Sequence, residues 1–410
     1  MSCKSLMTRK SHRKSRHGCK ECKRRRVKCD ESRPSCAICQ RRASSCTYDS
    51  SSSYIWLGEE SSEDIQPAPL DFGQELNYLF ATTSKTQGFQ KSHNENESPR
   101  APEVLNLSDL RLMIHWSKQT HLSFARDEAT RNTWQFVVPE EALSHRFLMH
   151  GLLAISALEL ASHGDDFARS QYVETAVMHQ NESLKVFRGL LSQINRVNAK
   201  AIFAFSSILV VYSFGFLHLE KIDSPSMTIE DLYHILMLCR GIQQVIASSK
   251  CSILDSNFGS ILEYNPVKYP WRLTVDGESA LHQLCDANIT FGANVAGHDT
   301  EVYDEAINSL GEALNATFQD HIPRNVVSRW AIKLPQAFLC HLQRREPMAL
   351  AILGVFCVVL HRLRSVWYFQ EWGETIMKLI WQTLDSEWRI LVNWGMLEVF
   401  GELHLDAGVE

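Results

Sequence analysis

From about residue 105 onward, apolar positions recur at intervals of three and four, the spacing of helices that bury one face. Leu143, Phe147, Leu148, Leu152, Ile155, Leu158 and Leu160 make one such run. Pro139, Glu140 and Glu141 precede it, a proline suited to a first turn and two acids at the positive end of the dipole. A helix is therefore predicted from 139 on. The same spacing predicts helices over 168–194, 199–218, 228–247, 301–317, 324–343, 347–366 and 372–393. Alternating period-two runs bounded by turns are scarce, so residues 104–410 read as a large all-α domain.

Two runs are apolar on every side. AIFAFSSILVVYSFGFLHL, residues 201–219, carries no Lys, Arg, Asp or Glu and reaches the length needed to span a bilayer. It also holds Ser206, Ser207, Tyr212, Ser213, Gly215 and His218, and no belt of aromatic and basic residues flanks it. A central helix buried on all sides is the better reading, and no membrane partner is expected. PMALAILGVFCVVL, 347–360, is too short to span.

The front of the chain has a different texture. Residues 1–17 form a basic, Ser-rich arm expected to be disordered. Residues 18–48 are dense in cysteine, and 49–103 read as a linker with the polar runs SSSS at 50–53 and KSHNENESPRAPE at 91–103. Between those runs, acids mix with aromatics, the composition of acidic-hydrophobic activation segments. The plainer alternative is a linker whose Tyr54, Trp56, Phe72 and Phe80 dock onto the next domain.

Charge sharpens this division. Residues 1–50 hold fifteen Lys/Arg against four acids, a net of +11; with −5 for the whole chain, the remainder carries −16. A basic arm on an acidic body points to a polyanion-binding end joined to a part with another task. Residues 1–18 contain no apolar signal-peptide core, so a reducing compartment is expected. The twelve cysteines are then not a disulfide framework. Six of them (Cys3, Cys239, Cys251, Cys285, Cys340, Cys357) are scattered and read as ordinary thiols.

The other six are ordered as Cys19-x2-Cys22-x6-Cys29-x6-Cys36-x2-Cys39-x6-Cys46, in which Cys-x2-Cys-x6-Cys occurs twice. A Cys-x2-Cys step turns two thiolates onto one metal, and zinc takes four sulfurs in a tetrahedron. Two zinc ions need eight ligand positions, so with six cysteines two must bridge, and the repeat suggests an equivalent pair. One four-cysteine zinc with two idle thiols is the alternative.

This stretch resembles the six-cysteine binuclear zinc cluster of fungal transcription factors, in every cysteine interval and in Pro34 of the RPSC turn. The resemblance implies two Zn²⁺ per chain, a small module with two short helices, and bridging by Cys19 and Cys36. It also implies recognition of double-stranded DNA at CGG-containing sites, with Arg25 and Arg26 at the positions that contact bases. Arginine there can bond guanine O6 and N7. Six thiolates and two Zn²⁺ sum to −2, which the surrounding cations overcompensate. Lys20, Lys23, Arg24, Lys28, Arg41 and Arg42 are the candidates for phosphate contacts. Arg9, Lys10, Arg13, Lys14 and Arg16 are candidates for a nuclear localisation signal or further DNA contacts.

The helical part holds no Gly-rich phosphate loop, no His-Glu-x-x-His and no Gly-x-Ser-x-Gly, so no enzyme is expected. It resembles the C-terminal regulatory region of the sterol uptake control protein family in HGLLAISALELA (150–161), YHILMLCRGI (233–242) and the WYFQEW segment with its Trp388–Trp394 tail. That resemblance implies a sterol-like ligand, with Trp367, Tyr368, Phe369, Trp372 and Trp381 as pocket candidates; core packing is the alternative for each. No leucine heptads follow Cys46, so the sequence offers no coiled coil for dimerisation. The combined expectation is a nuclear regulator of RNA polymerase II transcription, acting as a pathway-specific activator of a biosynthetic (secondary metabolite) gene cluster. A sterol-responsive regulator is the alternative. Coactivators, a hydrophobic ligand and a second copy of the chain are candidate partners.

Overall fold

A computed structural model describes residues 20–25, 27, 29–30, 36–42, 46, 72–80, 106–219, 227–262 and 270–401. Two compact units are present, one built on the N-terminal cysteine segment and one holding every helix from residue 72 on. Among the described residues no strand occurs.

The small unit has two helices, α1 (Lys20–Arg25) and α2 (Ala37–Arg41). Helices of six and five residues do not hold by themselves in water, because nucleation costs more than so few hydrogen bonds return. What they share is a sulfur core: Cys22, Cys29, Cys36 and Cys39 are buried, with Ile38 and Cys46 packed against them.

The large unit begins with α3 (Phe72–Phe80), which lies in the segment read above as linker. Its Leu76, Leu79 and Phe80 are buried and it packs against α10 (Ile229–Leu254). Glu75 pairs with His234 of α10, and Tyr78 stacks on the same ring at 3.6 Å between centroids. Tyr54 and Trp56, and the side chain of Phe72, lie outside the described residues.

Two apolar helices organise the rest. Helix α9 (Ala199–Leu219) is packed by α7 (Arg146–His163), α8 (Asp166–Leu190) and α10, with α4 (Leu107–Lys118) lying across α7. It is long and apolar enough to cross a membrane, yet 89% of its apolar window is buried inside the unit. Its serines fit because each hydroxyl donates to its own helix: Ser206 to Ile202 O at 2.7 Å, Ser207 to Phe203 O at 3.0 Å and Ser213 to Leu209 O at 2.8 Å. Helix α16 (Pro347–Arg362) is buried from Met348 through Leu360. It is enclosed by α12 (Val275–Asn294), α13 (Thr300–Thr317), α17 (Trp372–Thr383) and α18 (Ser386–Phe400). The two halves meet at several places, one of them where α9 touches residues 367–372. Trp372 Nε1 donates to Phe214 O at 3.1 Å, and a Cβ on Gly215 would stand 2.5 Å from the Trp367 ring.

Several predicted boundaries move, each for a local reason. The run from Pro139 splits into α6 (Val138–Ser144) and α7, because His145 leaves the helical region at φ −131°, ψ 88°. The helix expected over 324–343 is two, α14 (Val326–Lys333) and α15 (Gln336–Gln343). Pro335 forces Leu334 into extended backbone at ψ 134°. The one expected over 372–393 breaks at Leu384, and Asp385 then caps α18 by accepting from Trp388 N–H at 3.1 Å. Helix α12 escapes the pattern reading, since VDGESALHQLCDANITFGAN interrupts its apolar face with glycines and polar residues. Before α6 lie α5 (Glu128–Asn132) and a π-helical turn at Thr133–Val137; α11 (Gly259–Leu262) follows α10.

Candidate metal centre and nucleic-acid interface

The cysteines reach their places through ordinary backbone features. Cys22 projects from α1. Cys36 is the N-cap of α2, in extended backbone, and its Sγ accepts from Cys39 N–H at 3.4 Å. Cys39 follows one turn later, three residues on, and so lies on the same face. Cys29 and Cys46 come from the stretches that follow each helix.

The resulting sulfur geometry has a shared vertex. The Sγ atoms of Cys22, Cys29 and Cys36 lie within 4.8 Å of one another, and so do those of Cys36, Cys39 and Cys46. Cys36 belongs to both sets. Its Sγ is 3.7 Å from that of Cys22, against about 3.8 Å for the edge of a tetrahedron with Zn–S bonds of about 2.3 Å. A disulfide would need about 2.05 Å. Backbone amides support the thiolates: Cys36 N–H donates to Cys46 Sγ at 3.2 Å, beside the Cys39 contact already described. The Asp30 carboxylate accepts from Ala37 N–H at 3.1 Å, tying the first half to the start of α2. Two three-sulfur sets joined at one sulfur fit a pair of tetrahedral thiophilic ions. The model of the fungal Zn(2)-Cys(6) binuclear cluster domain matches residues 17–54. Those residues are such a cluster domain. It binds two zinc ions. Cys19 lies outside the described residues.

Curated relatives of the chain are fungal Zn(2)-C6 transcription factors and sterol uptake control proteins. The Zn(2)-C6 fungal-type transcription factor afumD of Aspergillus fumigatus is 31% identical over 204 residues, 49% of this chain and 47% of that protein. A Zn(2)-C6 fungal-type transcription factor of Gibberella zeae is 22% identical over 403 residues, 88% of this chain and 80% of its own length. Sterol uptake control protein 2 of Candida albicans is 52% identical over 122 residues, 30% of this chain and 16% of that protein. The chain thus spans about half the length of the first of these relatives and a small part of the last.

Around the cluster domain's first helix the cations are not all loose. Arg24 and Arg25 stand in the last turn of α1, where positive charge suits the dipole. Both reach back to Glu21, Arg24 at 2.8 Å and Arg25 at 2.6 Å. The hydrogen bond from Arg24, with Arg25 beside it, holds the Glu21 carboxyl below the usual carboxylate range. Glu21 is a residue the motif reading passed over, though its spacing of three and four to the arginines marks an ion-paired helix face. The pairs are exposed and therefore weak, so another anion can compete for the two guanidinium groups. In the second half, Arg41 Nε donates to Ala37 O at 3.2 Å, and Arg41 and Arg42 are exposed. Arg9, Lys10, Arg13, Lys14, Arg16, Arg26 and Lys28 lie outside the described residues, as do the side chains of Lys20 and Lys23.

In the large unit the five aromatic pocket candidates part company. Tyr368 and Phe369 line a small recess, partly open to solvent, together with Phe124, Trp134, Val210 and Phe214. Trp372 is fully buried core against Phe214, at 5.2 Å between ring centroids. Trp367 is buried and donates from Nε1 to Ser123 Oγ at 3.0 Å. Trp381 lies under the Arg389 guanidinium, 5.3 Å from its ring centroid. These three do not line the recess. Of the scattered cysteines, Cys239, Cys285, Cys340 and Cys357 are free thiols. Cys239 and Cys357 are buried, and burial pushes the Cys239 thiol up to about 12, while Cys3 and the side chain of Cys251 lie outside the described residues.

Proposed function

We propose that the chain is a nuclear, sequence-specific DNA-binding regulator of RNA polymerase II transcription, an activator dedicated to one biosynthetic (secondary metabolite) gene cluster. The observation that carries the reading is the shared Cys36, since two triads joined at one sulfur make a rigid binuclear core under a basic helix. Cys19 supplies the second bridge and completes both tetrahedra. The zinc pair crosslinks α1 to α2; the chain's own residues do the recognition. Arg25 and Arg26 contact base edges at CGG-containing sites, while Lys20, Lys23, Arg24, Lys28, Arg41 and Arg42 contact phosphates. Glu21 holds Arg24 and Arg25 along the face of α1 until DNA takes its place as their counter-charge. The likeness to two Zn(2)-C6 fungal-type transcription factors supports this reading.

Selection of bound sequences from random duplex DNA tests it, alongside metal analysis. Two zinc ions per chain and enrichment of CGG triplets are the expected results. One zinc or none in folded protein, or no enrichment, sinks the reading. Arg26→Ala should relax base preference, whereas Arg41→Ala should weaken binding to all sequences alike.

A second reading is favoured by the apolar recess and by the likeness to a sterol uptake control protein. In it, the large unit senses a hydrophobic small molecule and governs activity. Thermal melting of the full chain with and without ergosterol tests it, and an unmoved midpoint with sterols and with other lipids rejects it.

A further inference from the structure

The recess has a chemically uneven lining. Its interior is apolar, with Phe124 and Trp134 stacked at 4.6 Å between centroids on one side and Phe214 and Phe369 on another. Trp134 sits in the π-helical turn Thr133–Val137. Such turns cost stability and recur at functional sites. The polar groups of the lining include no Asp or Glu. Ser207 donates to Phe203 O and Ser123 Oγ accepts from Trp367 Nε1. Arg126 donates to Ser260 O and Ile261 O, the Tyr368 hydroxyl to Ser123 O, and Ser328 Oγ accepts from Cys239 Sγ. What remains is donor capacity at the rim. Arg324 is exposed, spends one N–H on Leu122 O at 2.7 Å and has no ion pair with a described carboxylate. Its neighbour Asn325 carries a buried Nδ2 with no hydrogen-bond partner.

A neutral sterol hydroxyl would leave this guanidinium without a counter-charge. A carboxylate accepts from both side chains at once. We propose that the recess binds an anionic amphiphile, a medium-chain carboxylate, with Arg324 and Asn325 holding the head group and the rings of Phe124, Trp134, Phe214 and Phe369 holding the chain. The proposal rests on the ligand-sensing reading above and changes its ligand class from sterol to acid. The apolar walls supply affinity in proportion to the area they cover. The rim supplies the choice of head group.

The test uses the full-length, zinc-loaded protein and three probes below their aggregation limits: laurate, dodecanol with the same chain and no charge, and ergosterol. Laurate should raise the melting midpoint and bind at least about ten-fold tighter than dodecanol, the scale of a charge-assisted hydrogen bond. Arg324→Gln, at an exposed position, should weaken laurate by about ten- to a hundred-fold and leave dodecanol unchanged. Asn325→Asp, nearly the same shape, should weaken laurate through like-charge repulsion and again spare dodecanol. Ergosterol binding while laurate is inert overturns the acid and keeps the sensing reading. Equal binding of laurate and dodecanol, unmoved by either variant, overturns the head-group assignment. No shift with any probe overturns both.

Discussion

The two units keep their helices by opposite means. In the cluster domain, α1 and α2 run for six and five residues and the buried groups between them are sulfurs. In the large unit, α9 and α16 are buried on nearly every face by other helices, and the core is aliphatic and aromatic. The hydrophobic effect scales with area, and so short a segment has little of it to remove from water. Metal ligation concentrates the same stabilisation in a few bonds. A metal-held unit aims its side chains sharply and fails all at once, whereas a packed unit can hold a recess such as the one beside Tyr368 without losing its fold.

The strongest way to break this contrast is to remove the metal. A chelator should unfold the cluster domain alone, because binding free energies of roughly 10–16 kcal/mol for small structural zinc sites are folding free energy there. Hydrogen exchange reads it: the Cys39 and Gln40 amides, which now bond to Cys36, should lose protection while those of α9 and α16 keep theirs. Loss of protection in α16 as well would show that the two units do not fold independently.

The reverse experiment acts on the packed core. Trp372→Ala removes a fully buried ring and its hydrogen bond to Phe214 O. A cost of about 3–5 kcal/mol is expected for the large unit. Zinc content should stay at two, and the melting transition of the helices should drop. Unchanged melting would mean that the contact between α9 and α17 adds nothing to the packing of α10 on α14 and α15.

The same contrast governs what could be read in advance. Ligand spacing is explicit in a sequence, because each cysteine is one vertex, and for two zinc ions six cysteines against eight positions require sharing. Helical periodicity is explicit only where a face is continuous. Helix α9 announces itself, but α12 hides behind Gly277, Asp286 and Asn294, and the break at Leu334 depended on a proline inside an otherwise apolar run. Pairings across distant segments leave no local trace. His150 and His145, five apart, fit no common helix face, and His150 instead meets His179 of α8, Nδ1 to Nδ1 at 2.9 Å. Aromatic density near residue 370 signalled burial, yet which rings face a recess was decided by the turn between α16 and α17 and by Gly215, which lets the edge of the Trp367 ring come close to α9.

Those histidines yield a smaller effect that separates the units by pH. Burial depresses His150, with Arg146 adding to it, and burial depresses His179 despite Asp109 and Glu182 nearby. His298 and His361 are lowered too, again chiefly by burial. With folded values below 6.5, the unfolded chain binds more protons as pH falls through 6.5. The large unit therefore has no such penalty above that pH and loses stability below it. Melting of zinc-free protein, in which the helical core alone gives the transition, should fall progressively from pH 7 to 5. His150→Phe should flatten the slope, and an unchanged slope would mean that the pair titrates normally.

The finest difference concerns single backbone angles. Arg345 closes α15 with φ at 57°, in the left-handed region that costs a residue with a Cβ. Its side chain is exposed, and its N–H donates to Leu342 O at 2.9 Å, a bond any residue can make. Glycine fits this place without strain, although it adds freedom to the unfolded chain. Arg345→Gly should therefore stabilise the large unit by up to about 1 kcal/mol, since the relieved strain of about 1–2 kcal/mol exceeds the entropy cost of roughly 0.5–1 kcal/mol. Thermal denaturation reads the sign. Destabilisation would mean that the guanidinium makes a contact worth more than the strain. In the cluster domain no comparable gain from one backbone angle would register, because a change below 1 kcal/mol is lost beside the roughly tenfold larger contribution of its metal.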